Sequence, residues 1–294
     1  MLVIAHRGAR AFAPENTIEA IEKAAQAGAD AVEIDVQLSA DGHVLVFHDD
    51  SLRRCSDVQA RFPTRAPWSF CHFTAAEIRS LDAGTWFVHE LARPAHERQG
   101  FLQTMSSEEV SAWIDAAECE RYASGNVRIP TLLECLEACR RHALELHVEL
   151  KVIPRFYAGL AQKVVGHVRD EHMQTQVVIS SFDHQQLALV RALAPDVRTA
   201  VLTSNRLYRP AEYLARLGAC AYCPGCSGDV DTIGLQSVTG LLDRDTISEL
   251  LASGYLVNVW TENDPSRMKA LEVAGVTGIF TDYPNRLRAH LSAA

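Results

Sequence analysis

A histidine and an arginine stand at the end of the first apolar run of the chain, followed at once by a glycine. Residues 2–5 are apolar, and His6, Arg7 and Gly8 come next. An imidazole titrates near neutral pH and a guanidinium keeps its charge, so the pair suits proton transfer beside an anionic, phosphorylated substrate. A solvated surface pair is the alternative interpretation, and residues further along the chain decide between the two.

Carboxylates occupy alternate positions of a second apolar segment, Ala31-Val-Glu-Ile-Asp-Val-Gln-Leu38. The period of two places Glu33, Asp35 and Gln37 on one face of a predicted strand and only apolar side chains on the other. A solvated acidic face would give the same pattern, but the segment is short and its opposite face is wholly apolar, as in a barrel strand. Inward carboxylates need a partner, and a divalent cation is the simplest one.

A turn after this strand predicts a hairpin that brings in a second histidine. The link Ser39-Ala-Asp-Gly42 is too short for a parallel crossover, so the segment 43–48 should return antiparallel. In a hairpin centred on 40–41, residue 48 lies opposite roughly residue 33. We therefore expect His48 to lie beside Glu33 and Asp35.

A third alternating segment, Leu144 to Lys151, supplies further charged residues. Its polar face carries Glu145, His147, Glu149 and Lys151. Glu149 and Lys151 lie near the predicted strand end and are candidates for binding a metal and a phosphate. An edge strand with one polar face is the alternative interpretation.

The elements that position these residues follow a strand–helix rhythm. Beyond strands at 2–6, 31–38, 43–48 and 144–151, strands are predicted at 176–181, 198–203, 219–223, 256–260 and 277–281. Helices are predicted at about 17–27, with Asn16 or Thr17 as N-cap and Gly28 as the stop, and at 156–169, 184–194, 210–217, 244–253, 265–274 and 284–291.

Without the hairpin arm the parallel strands number eight, which predicts a single-domain (β/α)8 TIM barrel over residues 1–294. Active sites of such barrels lie at the C-terminal strand ends. The side chains predicted at these ends are His6, Glu33, Asp35, Glu149, Lys151, Phe182 and Trp260. Their convergence on one barrel face favours a functional site there.

A long insertion, about residues 50–128, interrupts the rhythm and is expected to lie over the C-terminal face. A capping box at Thr74 predicts a short helix to about Leu81, residues 107–122 read as one acidic helix, and a capping box at Thr131 opens a helix that ends near His142. The apolar residues that could line a groove under this lobe, or form its own core, are Phe101, Leu102, Met105, Trp113 and Ile114.

Composition excludes several classes of protein. A net charge of -9 argues against bulk binding of nucleic acid, and no apolar run approaches the ~20 residues that span a bilayer. The first predicted strand starts at Leu2 with no basic region or cleavage site ahead of it, so no signal peptide is expected. Eight cysteines in a chain of this size predict reduced thiols and a cytoplasmic location. Cys220, Cys223 and Cys226 have metal-ligand spacing but no evident fourth ligand, so no cysteine metal site is predicted.

Taken together, the motifs resemble the glycerophosphodiester phosphodiesterase family over residues 1 to about 285, apart from the insertion. The residues that carry the resemblance are His6-Arg7-Gly8, Pro14-Glu15-Asn16-Thr17, Glu33-x-Asp35, Asp41-Gly42, His48-Asp49, Ile129-Pro130-Thr131-Leu132, Glu149-x-Lys151, Trp260-Thr261-x-Asn263 and Thr281-Asp282-x-Pro284.

The resemblance implies a TIM barrel, related to phosphatidylinositol-specific phospholipase C, that hydrolyses glycerophosphodiesters to glycerol 3-phosphate and an alcohol. One divalent cation, Mg²⁺ or Ca²⁺, is implied as cofactor and a small glycerophosphodiester as the partner. The implied roles are metal binding by Glu33, Asp35 and Glu149, acid/base catalysis by His6 and His48, phosphate binding by Arg7 and Lys151, and contact of Trp260 with glycerol.

The chain departs from the family pattern at three places outside this set. Arg53-Arg54-Cys55-Ser56 stands where the family often has Arg-Thr-Thr and a glycine turn, Glu262 stands where an apolar residue is usual, and Thr277 where aspartate is common. Specificity for the alcohol therefore stays open, as does the oligomeric state. The alternatives are a lysophospholipase D acting on lipid-like diesters and a barrel that binds phosphoesters without turnover.

Overall fold

The computed structural model describes residues 1–151, 157–226 and 233–292, and the strands in these residues form one closed sheet. They are β1 Leu2–Ala5, β2 Ala31–Leu38, β3 Val44–Val46, β4 Glu145–Leu150, β5 Val177–Ser181, β6 Arg198–Thr203, β7 Ala221–Pro224, β8 Leu256–Val259 and β9 Gly278–Thr281. Every strand but β3 pairs in parallel with both neighbours, and β1 pairs with β9 and β2, which closes an eight-stranded barrel. The predicted TIM barrel is confirmed.

Helices follow the barrel strands, and several shorter helices lie within the insertion. They are α1 Ile18–Gln26, α2 Val58–Arg61, α3 Ala75–Ser80, α4 Thr85–Ala92, α5 Ser107–Trp113, α6 Ala116–Tyr122, α7 Leu132–Arg141, α8 Leu160–Asp170, α9 His184–Leu193, α10 Pro210–Leu217, α11 Arg244–Ala252, α12 Pro265–Ala274 and α13 Pro284–Ser292. Most predicted bounds hold to within a few residues, and the predicted start of the helix at 156 lies outside the described residues. No helix in the described part of the chain has the length and apolarity that crossing a membrane requires.

The alternation of β2 sorts its side chains between the two layers of the core. Val32, Ile34 and Val36 pack in the large apolar cluster that joins the sheet to its helices, whereas Glu33 and Asp35 are also buried and belong to the other face. β2 lies between β1 and β4, and β4 lies between β2 and β5. The alternative interpretations of a solvated acidic face and of an edge strand are therefore wrong.

The hairpin between β2 and β3 forms in a register one residue from the predicted one. Val36 pairs with Val46 and Leu38 with Val44, so the centre is residue 41. The cause is a three-residue loop: Ser39 N donates to His43 O at 3.0 Å, and Gly42 adopts φ +78°. Residue 48 is consequently level with residue 34 instead of 33, but it lies beyond the end of β3 and still reaches the carboxylates.

The insertion has more helical breaks than its sequence suggested. The capping boxes at Thr74 and Thr131 are both present. The single helix predicted over 107–122 is wrong, because Asp115 forms a further capping box with Glu118 and starts α6. An aspartate that accepts a hydrogen bond from the backbone two or three residues later favours a new helix start over continuation of the old one.

The insertion is fastened to the barrel at the C-terminal side of the strands. Tyr283 Oη donates to Phe101 O at 2.6 Å, and Arg286 Nε donates to Glu109 Oε1 at 2.7 Å. Lys23 Nζ donates to Trp113 O at 2.9 Å. The bond to Phe101, with another from Arg286 Nη2 to Thr104 O at 2.8 Å, holds residues 100–104 at the mouth of the barrel, where they contribute to the wall of the cavity described next.

Candidate active site

A cavity of about 730 Å³ lies at the C-terminal ends of the barrel strands, between the barrel and the insertion. Seven of the eight side chains proposed from the sequence line it: His6, Arg7, Glu33, His48, Glu149, Lys151 and Trp260. The eighth, Asp35, is 1% exposed and belongs to the same carboxylate cluster as Glu33 and Glu149. The structure therefore brings the whole predicted set together.

The turn after β1 holds His6 and Arg7 in place through a glycine whose replacement would strain the backbone and crowd α1. Gly8 has φ +78°, and a Cβ at this position would lie 2.5 Å from Ala20 Cβ. Asn16 N then donates to Arg7 O at 2.9 Å, which ties the turn to the segment that precedes α1. Asn16 also donates from Nδ2 to Asp35 Oδ2 at 2.8 Å, so the two motifs are joined at the carboxylate cluster.

Three carboxylates, from Glu33, Asp35 and Glu149, each offer an oxygen within 4.8 Å of the others. Glu33 Oε1 and Asp35 Oδ1 are buried and have no hydrogen-bond partner among the described residues. Burial and the charges of Asp35 and Glu149 raise the pKa of Glu33 well above its usual range. Burial, together with Asp35, also raises the pKa of Glu149. A cation bound at this cluster would satisfy the orphaned oxygens and relieve the repulsion.

Two cations border the carboxylate cluster. Lys151 Nζ lies 2.9 Å from Glu149 Oε1 and 3.8 Å from Asp35 Oδ1. Arg7 Nε lies 3.4 Å from Asp35 Oδ2, and Arg7 N donates to Glu33 Oε2 at 2.9 Å. Burial disfavours the charged carboxylate of Asp35, but His48, Arg7 and Lys151 outweigh it and hold the pKa of Asp35 well below its usual range.

His6 is oriented by a carboxylate from the last barrel strand end. Its Nδ1 lies 2.8 Å from Asp282 Oδ1, and its Nε2 lies 4.0 Å from Glu33 Oε2. Asp282 is buried and also accepts from Arg10 Nη2 at 3.0 Å and from Asn263 Nδ2 at 2.7 Å. Burial, with the charges of Arg10 and Arg7, lowers the pKa of His6 to about 4. An ionised Asp282 accepts a hydrogen bond from the Nδ1–H group, which leaves Nε2 without the proton and available to the cavity.

His48, which lines the same cavity, has the same arrangement. Its Nδ1 lies 2.7 Å from Asp49 Oδ1, and Arg54 donates from Nε to Asp49 Oδ2 at 2.7 Å. Burial opposes ionisation of Asp49, yet the bonds from His48 and Arg54 hold the pKa of Asp49 well below its usual range. Each histidine thus has a carboxylate on Nδ1 and an arginine behind that carboxylate.

Glu15 joins the two histidine–carboxylate pairs. Its buried carboxylate accepts from Arg54 Nη2 at 2.6 Å and from Arg7 Nη1 at 3.1 Å, and it lies 3.6 Å from Arg10 Nη1. Burial opposes its ionisation, but Arg7 and Arg54 hold the pKa of Glu15 well below its usual range. A chain of charged contacts therefore runs between the histidines, in the order His6, Asp282, Arg10, Glu15, Arg54, Asp49 and His48.

The sequence analysis assigned no role to five members of this chain. Glu15, Asp49 and Asp282 fall inside the motifs that carried the resemblance, and this was the available signal. Arg10 and Arg54 gave no such signal, because an arginine in a loop is usually solvated. Arg10 contacts Asp282, 272 positions away in the chain, and Arg54 contacts Glu15, 39 positions away.

The apolar part of the cavity is built around Trp260. Its Nε1 donates to Cys223 O at 2.8 Å, and its ring meets Phe182 edge to face at 5.4 Å between centroids. Phe101, from the insertion, also lines the cavity, and the Arg10 guanidinium lies over its ring at 4.2 Å. These contacts fix the indole plane and leave an apolar surface next to the charged groups.

Comparison with known proteins agrees with this geometry. The model of the glycerophosphoryl diester phosphodiesterase family matches residues 6–286. A glycerophosphodiester phosphodiesterase of Bacillus altitudinis is 30% identical over 285 residues, which cover 97% of this chain and 95% of the relative. One from Caldanaerobacter subterraneus is 28% identical over 286 residues, 97% of this chain and 96% of the relative.

Among solved structures, a phosphodiesterase of Oleispira antarctica in complex with sn-glycerol-3-phosphate superposes with a TM-score of 0.72 at 26% identity. The match covers 98% of this chain and 96% of that one. Because the family model spans nearly the whole chain, and the relatives match it from end to end, the chain belongs to the glycerophosphoryl diester phosphodiesterase family of phosphoric diester hydrolases.

Proposed function

We propose that the enzyme hydrolyses small glycerophosphodiesters to glycerol 3-phosphate and an alcohol, with one divalent cation and two histidines as the acid/base pair. The observation that carries the proposal is the arrangement of His6 and His48. Each has a carboxylate on Nδ1, and both line one cavity beside a cluster of three carboxylates. This combination supplies proton transfer and charge neutralisation at one phosphorus atom.

Glu33, Asp35 and Glu149 are the residues that would hold the cation. A set of carboxylate oxygens suits a hard ion, Mg²⁺ or Ca²⁺. Binding of such an ion would explain why Glu33 Oε1 and Asp35 Oδ1 accept no hydrogen bond from the described residues. When bound, the ion would neutralise the negative charge of the phosphodiester. Lys151 and Arg7 lie beside the same carboxylates, and we assign them to the non-bridging phosphate oxygens.

The two histidines exchange protons with the substrate. One Nε2 removes a proton from the attacking hydroxyl as its oxygen bonds to phosphorus, and the other protonates the oxygen of the alcohol, so that the alcohol does not leave as a free alkoxide. Asp282 and Asp49 keep each Nδ1 protonated and thereby fix the tautomer that exposes Nε2. The substrate phosphorus would lie between the two rings.

Trp260 is assigned to the glycerol moiety, because its fixed indole gives an apolar face next to the charged groups. The Oleispira antarctica phosphodiesterase, whose structure contains sn-glycerol-3-phosphate, supports glycerol 3-phosphate as the product of this chain. A lysophospholipase D activity needs an apolar groove under the insertion. Of the apolar residues considered for it, Leu102, Met105 and Ile114 are buried in the core, which favours small substrates.

We also propose that residues 1–294 act as one domain and that the enzyme works in the cytoplasm. The insertion is bonded to the barrel through Tyr283 and Arg286 and shares its cavity. Cys55, Cys135 and Cys139 are buried free thiols, as expected in a reducing compartment.

The direct test is release of the alcohol, choline or ethanolamine, from glycerophosphocholine, glycerophosphoethanolamine and lysophosphatidylcholine by purified protein, with glycerol 3-phosphate as the second product of the first two. We expect turnover of the two soluble diesters, loss of turnover in EDTA, and recovery on addition of Mg²⁺ or Ca²⁺. Preference for lysophosphatidylcholine would favour the lysophospholipase D alternative, and full activity in EDTA would contradict the metal assignment.

Asp282→Asn should lower kcat by roughly 10²- to 10⁴-fold, the usual contribution of a positioned acid or base. The amide keeps the size of the side chain but has no charge and only one acceptor oxygen, for which His6, Arg10 and Asn263 compete, so the Nδ1-protonated tautomer of His6 is no longer held. The matched control is Asp183→Asn, since Asp183 caps α9 at the end of β5 and is not part of the cavity wall. Equal kcat values for the two variants, both with a native thermal transition, would contradict the role of Asp282.

A further inference from the structure

A buried glutamate that follows Trp260 in the chain holds an arginine in place on the cavity wall. The Glu262 side chain is 2% exposed. Its Oε1 accepts from the backbone N–H groups of Asn263 at 2.9 Å and Asp264 at 2.8 Å, and its Oε2 lies 3.1 Å from Arg267 Nε. A buried carboxylate with this many donors is rigid, and it holds the arginine by one edge of the guanidinium.

The other edge of Arg267 is available for a ligand. The residue lines the cavity, and its side chain is 49% exposed. Neither Nη group donates a hydrogen bond to any residue in the described ranges, whereas Nε is directed to Glu262. Two N–H₂ groups on a planar, permanently charged fork match the oxygens of a carboxylate or a phosphate.

The carboxylates of the cavity wall leave little to attract a cationic group. Asp282 is held by Arg10, and Glu262 is held by Arg267. Glu33 and Glu149 belong to the proposed metal cluster. Within the described residues, each carboxylate that lines the cavity thus already has a cation or a proposed ion as its partner.

We propose that Arg267, held by Glu262, forms a second anion subsite and selects diesters whose alcohol carries its own oxyanion. The glycerol moiety has no charge besides the phosphodiester, so a second anionic group can only belong to the alcohol. A quaternary or primary ammonium on the alcohol is disfavoured at the same place, because it would meet the guanidinium. This inference rests on the proposed hydrolysis of glycerophosphodiesters.

The test compares diesters of glycerol 3-phosphate with four alcohols: 3-hydroxypropanoate, its isosteric amide 3-hydroxypropanamide, ethylene glycol monophosphate and choline. The wild-type kcat/KM should be highest for the two anionic alcohols and lowest for choline. Arg267→Gln should lower kcat/KM for the anionic substrates by about ten- to a hundredfold, the range of a charge-assisted hydrogen bond, and change it little for the amide. Comparison of the carboxylate with the phosphate identifies which oxyanion fits.

Two further variants separate the subsite from a general effect of charge or folding. Arg93→Gln removes an arginine of similar exposure, 48%, that pairs with Glu90 and does not line the cavity, and it should leave all four values unchanged. Glu262→Gln frees Arg267 and should reduce the preference for anionic alcohols without altering kcat/KM for the amide substrate.

If Arg267→Gln lowers kcat/KM equally for all four substrates, or for none of them, the proposed subsite is wrong. If wild type cleaves none of the four, the proposed function fails with it.

Discussion

Replacing Asp35 by alanine is expected to abolish metal-dependent hydrolysis and leave a folded barrel. Asp35 is one of three carboxylates whose oxygens lie within 4.8 Å of one another, and its Oδ1 has no hydrogen-bond partner among the described residues. Without it, Glu33 and Glu149 remain as a two-ligand site of lower charge, which binds a divalent ion more weakly. Titration calorimetry with Mg²⁺ and Ca²⁺ should show the loss of binding beside the loss of turnover.

Strand β4 offers a matched pair for this prediction. Glu149 and Glu145 lie on the same face of one strand, but Glu145 lies at the opposite end and pairs with His147 and Arg198. Glu149→Gln should therefore lose ion binding and activity as Asp35→Ala does, whereas Glu145→Gln should retain both. Full activity of Asp35→Ala in EDTA would contradict the metal site, regardless of the results for Glu149→Gln and Glu145→Gln.

The carboxylates that sequence analysis identified are those whose position depends on local periodicity. Alternation along β2 and β4 placed Glu33, Asp35 and Glu149 on the inward faces, because a strand sends side chains to opposite sides at every step. The hairpin argument placed His48 near them even though its register was wrong by one residue. The error did little harm, since His48 lies past the paired part of β3, where its position depends on the following loop as well as on the register.

The residues that sequence analysis passed over depend on contacts between distant parts of the chain. Asp282 meets His6 across 276 positions, and Glu15 meets Arg54 across 39. No spacing rule predicts such pairs before the barrel has closed. The break at Asp115 is a different case, because its capping signal was present locally but was outweighed by the continuous acidic pattern of 107–122.

The nature of the attacking hydroxyl gives the second large expected effect. His6 and His48 line one cavity, an arrangement that suits in-line displacement at phosphorus. The nucleophile we propose is the 2-hydroxyl of the substrate glycerol. Its oxygen forms a bond to phosphorus, its proton passes to one histidine, and the bond to the alcohol breaks as the other histidine protonates the leaving oxygen. Water then opens the five-membered cyclic phosphate, with the roles of the histidines reversed.

An internal nucleophile has a high effective concentration when the glycerol moiety that carries it is held in one pose. Trp260 supplies a fixed surface for that purpose. A substrate lacking the 2-hydroxyl should therefore not be cleaved above background, whereas removal of the terminal 1-hydroxyl, which cannot form the five-membered ring, should affect mainly KM. The enzyme should also convert glycerol cyclic phosphate to glycerol 3-phosphate, followed by ³¹P NMR. Normal turnover of the 2-deoxy substrate would make water the nucleophile and still leave His6 and His48 as the acid/base pair.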